Sequence, residues 1–418
     1  MTDGHDGHAK RSAVRVLPTK ATLLTAAALL TALGTAPPAP HLRLDGSGEC
    51  TFPAHQIKGT PWALQRVLLD QLWQGTDQGK GVQVAVIDTG VDDRNPQLAG
   101  AVDKAAGRDY LAKGKGGDPT DDQVGHGTKV AGIIAARPHK GTGFVGLAPK
   151  ATIIPIRQND ADNSGDSDTM AQAITYAVSR GADVINISQD TTKPLSNTSA
   201  LAQAVHRAIA RKVVVVASAG NDGVDGKPKN TYPAAFPGVL AVAASDRNNE
   251  RAPFSQAGTF VGVAAPGVDI ASTVPGGGQC TDDGTSFSAP FVAGVAALLK
   301  EKHPDWTTAQ IVTRIEQTAE RSVNGHDNFV GWGVVDPVRA VQDSDSGDPP
   351  SSPTPDPGPS KAPEPDVAPF SLAETPQERN QRYAVYALGV TAVLVAVIAG
   401  TAVVARDLRR RHRKDLSA

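Results

Sequence analysis

Four short apolar runs recur along the middle of the chain: VQVAVI (Val82 to Ile87), ATIIPI (Ala151 to Ile156), DVINIS (Asp183 to Ser188) and VVVVAS (Val213 to Ser218). They are continuously apolar rather than alternating, the pattern of strands covered on both faces. Between them DTMAQAITYAVSRG (Asp168 to Gly181) and TSALAQAVHRAIARK (Thr198 to Lys212) carry helical spacing, with Asp168 placed as the N-cap of the first and Gly181 as its stop. Strand, helix, strand in alternation predicts an α/β fold: an open, mostly parallel sheet with helices on both faces. Ligands of such sheets sit at the carboxyl ends of the strands. Asp88, in VAVIDTGVDD, stands one residue past such an end.

The two ends of the chain place this unit relative to a membrane. Lys10, Arg11, Arg15 and Lys20 precede the 16-residue run ATLLTAAALLTALGTA, so residues 1–36 read as an export signal. Residues 384–405, AVYALGVTAVLVAVIAGTAVVA, are free of charge and span about 33 Å as a helix, enough to cross a bilayer. The basic segment RDLRRRHRK follows at once, so residues 406–418 are expected in the cytoplasm and everything before the helix outside. The expected location is therefore the cell membrane, with a single pass. Residues 343–383, rich in Pro, Ser and Asp, read as an extended linker, and 37–59 as a short extension. Residues 60–342 remain as one globular unit.

Charge excludes one class of partner. With 41 Lys+Arg against 43 Asp+Glu there is no basic field, and no helix-turn-helix, zinc-finger or phosphate-loop spacing occurs, so no nucleic acid is expected. The two cysteines, Cys50 and Cys280, are too few for a zinc site; in an exported chain they predict one disulfide.

Three motifs carry chemistry. Alone, the Asp88-Thr89-Gly90 signature fits a turn, half of a carboxylate dyad, or the orienting acid of a serine triad. A dyad needs a second copy, and the other match, Asp345 to Gly347, lies in the Pro-rich linker with no strand before it. His126 stands between two glycines in DDQVGHGTKVAGIIAA, at the start of a helical segment. Ser286, in DDGTSFSAPFVAGVAALLK, precedes a helix with Pro290 near its first turn. Together they supply a nucleophile, a base to take its proton and a carboxylate to orient the base.

On these residues the chain resembles the subtilisin-like serine proteases: VAVIDTGVD is similar to the Asp block, GHGTKVAGIIA to the His block and GTSFSAPFVAG to the Ser block. The order Asp, His, Ser is that of the known subtilisin template. The resemblance covers roughly residues 60–342 and implies a serine endopeptidase acting on protein or peptide substrates. It implies catalytic roles for Asp88, His126 and Ser286, with Asn221 of ASAGND as oxyanion donor. It also implies a substrate strand held between Ser188 and Gly220 on one side and Ser164 and Gly165 on the other. Asp160, Asp162, Asp166, Asp168 and Asp190 crowd these edges, and a preference for basic residues near the cut is the matching expectation. The family's calcium-binding Asp is replaced by Gln97, so no tight metal and no cofactor is expected. The folded propeptide of secreted subtilisins has no counterpart of that length here; the extension reads as a wrap held by Cys50.

Signal, short Cys-bearing extension, protease-like unit, Pro-rich linker and C-terminal anchor together resemble the mycosins, membrane-anchored proteases of type VII secretion systems. That resemblance implies exported substrates and partnership with the secretion membrane complex. It leaves two other functions open: a structural stabiliser of that complex, and a general degradative cell-surface protease.

Overall fold

The apolar runs become neighbouring parallel strands. The structure, a computed structural model, describes residues 50–111, 117–161, 165–321, 323–342, 347, 352–355 and 374–415. The expected signal, most of the extension and most of the linker lie outside the described residues. In chain order the elements are α1 (Trp62–Val67), α2 (Leu69–Leu72), β1 (Gln83–Asp88), β2 (Arg108–Asp109), α3 (His126–Ala135), β3 (Thr152–Arg157), α4 (Ser167–Ser179) and β4 (Val184–Ile187). They continue with α5 (Ala200–Ala210), β5 (Val214–Ser218), β6 (Leu240–Ser245), β7 (Val261–Pro266), β8 (Ile270–Thr273), β9 (Gln279–Asp282), α6 (Thr285–Lys302), α7 (Thr308–Thr318), α8 (Pro337–Gln342) and α9 (Pro376–Asp415).

Seven strands form one sheet in the order β2-β3-β1-β4-β5-β6-β7, every pair parallel. The predicted fold class is the one observed. Its continuous apolar runs conceal a two-residue period that divides them between two cores. Val84, Val86, Val214 and Val216 join the core beneath α3 and α6, whereas Ala85, Ile87, Val215 and Ala217 join the one beneath α4 and α5. Helix α6 is apolar all round and buried almost throughout, the signature of a central core helix. Burial of Val292, Val295, Leu298 and Leu299 contributes roughly 1.5–3 kcal/mol each. A two-stranded antiparallel ribbon, β8–β9, precedes α6 and was not expected.

One predicted cap moves. The N-cap of α4 is Asp166, not Asp168: its side chain accepts from the N–H groups of Asp168 and Thr169 at 3.0 and 2.7 Å. Thr169 Oγ1 in turn accepts from the Asp166 N–H at 3.1 Å, a reciprocal capping box that Asp168 has no partner to build. Gly181, with φ +80°, follows the end of α4 as predicted.

The disulfide Cys50–Cys280 forms, and the described extension is fastened along β9. Ala54 N–H donates to Gly277 O at 3.0 Å, Gln279 N–H to His55 O at 3.1 Å, and Ile57 N–H to Gln279 Oε1 at 2.8 Å.

The chain divides into two compact units, Met1–Asp356 and Pro357–Ala418. Helix α9 belongs to the second and runs beyond the apolar stretch 384–405 on both sides. Thr375 and Glu378 form a capping box at its start, and the flanking Gln, Glu and Arg residues are good helix formers. It is long and apolar enough to cross a membrane, with its apolar side chains exposed.

Candidate active site

Strand β1 ends on Asp88, whose side chain is fully buried. Its Oδ1 accepts from the Thr89 N–H at 2.8 Å and pairs with His126 Nδ1 at 2.7 Å; Oδ2 has no partner among the described residues. The approach depends on glycine. A Cβ on Gly127 would lie 2.1 Å from Gly90 O and 3.0 Å from the Asp88 Cβ, so a larger residue would push α3 off the end of β1. The imidazole stays 26% exposed. Its burial opposes a positive charge, but the charge and hydrogen bond of Asp88, with Asp122 behind, outweigh that, and the His126 pKa is raised.

Beneath the His126 loop, the buried Asp122 gathers four contacts. It accepts from Gly125 N–H at 2.8 Å, Thr128 N–H at 2.9 Å, Thr128 Oγ1 at 2.6 Å and Thr89 Oγ1 at 2.8 Å. Thr89 Oγ1 also accepts from Gly127 N–H, and Thr128 Oγ1 from Asp92 N–H. One carboxylate thus ties the loop after β1 to the first turn of α3. The only sequence signal for it was its place four residues before His126.

Ser286 lies inside α6 as its second residue, not ahead of the helix as expected. Pro290 has no N–H to offer Ser286 O four residues back. Ser188, just past β4, supplies the missing donor: its Oγ donates to Ser286 O at 2.8 Å. In return Ser286 Oγ donates to Ser188 O at 3.1 Å. The Phe287 ring, next in the chain, stands 5.3 Å from the His126 ring between centroids, so α3 and α6 open on one mouth. Beside it, Asn221 Oδ1 accepts from the N–H and the hydroxyl of Thr285, both at 3.0 Å. That fixes the carboxamide and leaves Asn221 Nδ2 without a partner among the described residues. Gly220, φ +103°, adjoins it.

The Subtilase family profile matches residues 79–333. Subtilisin E of Bacillus subtilis (strain 168) is 37% identical over 291 residues, 69% of this chain and 73% of that one. The chain belongs to the subtilase family. Solved structures similar to this subtilase include the MycP3 protease from the type VII (ESX-3) secretion system, at 34% identity and TM-score 0.61 over 69% of this chain and 90% of that one. MycP1 from Mycobacterium smegmatis matches at 31% identity and TM-score 0.61, over 78% and 91%. The chain is accordingly a subtilisin-type serine endopeptidase.

The other expected site residues divide. Ser188 and Gly220 lie against Ser286 and Asn221, as just described. Gly165 lines a recess with Gln189 and Asp190, and Ser164 lies outside the described residues. The position of Gln97, where the resemblance implied a calcium-binding Asp, does not fit a cation here. The buried Gln97 turns its Nε2 to donate to Arg137 O at 2.8 Å and Phe144 O at 2.9 Å, so an amide N–H, not a carboxylate oxygen, fills the space before these carbonyls. Among the described residues no group of three or more His, Cys, Asp or Glu is placed to hold a metal.

Proposed function

We propose that this subtilase is a membrane-anchored, extracytoplasmic endopeptidase that processes proteins exported by a type VII secretion system and associates with that system's membrane complex. The observation that carries the reading is the Asp88–His126 pair at 2.7 Å, with the His126 ring 5.3 Å from the ring of Phe287, the neighbour of Ser286, in a catalytic unit similar to proteases of that system. In this reading residues 1–36 are the export signal, 384–405 the crossing helix and 406–418 a cytoplasmic tail.

In this reading Ser286 Oγ leaves Ser188 O by rotation about χ1 and attacks the scissile carbonyl carbon. His126 Nε2 takes its proton and later delivers it to the leaving amine. Asp88 holds the proton on Nδ1, so the other nitrogen is the free base, and stabilises the imidazolium that forms. The oxyanion is received by Asn221 Nδ2 and by the Ser286 N–H, which lies in the first turn of α6, where helical N–H groups lack an intrahelical acceptor. The substrate strand lies between Ser188 and Gly220 and the segment of Ser164 and Gly165.

The deciding comparison is Ser286→Ala against deletion of the whole chain in the host, read as secretion of type VII substrates. Equal loss establishes catalysis as the essential role. Normal secretion with Ser286→Ala would overturn the processing role in favour of a structural one.

A further inference from the structure

The recess lined by Gly165 has a volume of about 530 Å³ and is walled by Gln158, Asp166, Met170, Gln189, Asp190 and Lys193, among others. Its near wall adjoins the candidate oxyanion site. A Cβ added to Gly220 would lie 3.1 Å from Asp190 Oδ2, and Gly220 precedes Asn221. Any peptide laid along Ser188 and Gly220 passes this carboxylate.

Among the described aspartates near the substrate edges, only Asp190 is both at the recess and uncommitted. Asp166 uses Oδ1 to cap α4. Asp168 lines a separate groove between α4 and α5, Asp160 has a partner, and Asp162 lies outside the described residues. Asp190 makes no hydrogen bond and no ion pair among the described residues. A second, independent feature points to a donor ligand. Gln158, 1% exposed and lining the recess, commits its Nε2 to Asp166 O at 3.1 Å and Thr169 Oγ1 at 3.0 Å, and its Oε1 is buried without a partner among the described residues. An orphaned buried acceptor costs about 1–3 kcal/mol until something donates to it.

We infer that Asp190 is the specificity-determining residue of this site and that the recess takes a Lys or Arg side chain of the substrate within four residues of the cut. The inference rests on the endopeptidase reading above and names its substrate class. Lys193, the one cation at the recess among the described residues, makes no ion pair there, so it reduces the negative field without cancelling it. Asp190 is exposed as a residue, yet burial pushes its carboxyl pKa up to about 6, with Asp222 adding to the rise and Lys229 opposing it. An entering cation therefore pairs with the carboxylate most effectively above that pH.

The full chain in detergent is tested on internally quenched peptides randomised at four positions on each side of the cut. Enrichment of Lys or Arg at one position by roughly tenfold to a hundredfold in kcat/KM over neutral residues is expected. Asp190→Asn should bring that ratio close to one, and D190K should turn the preference toward Asp or Glu, a gain that misfolding cannot imitate. Between pH 5 and pH 8 the basic-to-neutral ratio should rise, and His126 titration cancels in that ratio. Cleavage with no Lys or Arg enrichment, or a preference that survives Asp190→Asn, overturns the inference and leaves the endopeptidase reading intact. Cleavage of no peptide, equally in Ser286→Ala, overturns both.

Discussion

Asp122→Ala tests whether the active-site loop is held from below by a single carboxylate. The side chain is 2% exposed and accepts from two backbone N–H groups and two hydroxyls. The hydroxyls keep their accepting roles, Thr89 Oγ1 from Gly127 N–H and Thr128 Oγ1 from Asp92 N–H, and their O–H groups can rotate toward another acceptor. The N–H groups of Gly125 and Thr128 cannot turn away. Each one left unpaired in the interior costs about 1–3 kcal/mol, so the variant should lose about 2–6 kcal/mol of unfolding free energy. That is a large share of the 5–15 kcal/mol typical of a domain. Urea unfolding followed by tryptophan fluorescence measures it, because Trp62, Trp73, Trp306 and Trp332 all lie in the first unit. Asp122→Asn keeps the volume and one acceptor but turns an NH2 toward the remaining donors, so its loss should fall between wild type and alanine. A loss under about 1 kcal/mol for Asp122→Ala at unchanged m would refute the reasoning, since it would mean that water or a shifted loop satisfies both N–H groups.

Three further outcomes follow from the same geometry. Asn221→Ala should lower kcat by about 10²–10³ with KM little changed in steady-state peptide hydrolysis; that range comes from removal of such a donor in a related subtilisin. Asp88→Asn should cut kcat by about 10⁴ and move the acid limb of the kcat/KM profile to lower pH, because the His126 pKa is raised by Asp88 and falls without it. The same shift has a stability sign: a raised native pKa stabilises the fold below about pH 6.5, and that contribution is lost as pH rises through the native value, so denaturant midpoints of Asp88→Asn should lack this slope. Chelator should leave the thermal midpoint unchanged, whereas Gln97→Ala should lower stability by about 1–3 kcal/mol by stripping donors from Arg137 O and Phe144 O.

What the sequence made legible was set by local chemistry, and what it hid was set by distance. Motif residues such as Asp88 and His126 carry their structural place with them, because a strand end and a glycine-flanked helix start are written in adjacent residues. The α4 cap shows how narrow that margin is. Asp166 and Asp168 are equally good caps by residue type, and the choice fell to the Thr169 hydroxyl three residues after Asp166, since Ala171, three after Asp168, has no side-chain acceptor to return the bond. Strands β6 and β7, LAVAAS and VGVAAP, gave no strand expectation because alanine and glycine have low strand propensity; neighbouring strands decided their conformation. Pro290 shows the longer reach. From sequence it marks a helix start, yet its consequence is a vacancy at Ser286 O that Ser188, 98 residues earlier, fills with its hydroxyl. The reciprocal bond holds the Ser188 carbonyl against Ser286 Oγ, so a helix irregularity fixes where the end of β4 stands relative to the Ser286 hydroxyl. The acidic crowd at the substrate edges resolves by the same logic. Five aspartates looked equivalent in the sequence; among the described ones Asp190 stands apart because Asp166 caps α4, Asp160 has a partner and Asp168 lines another groove.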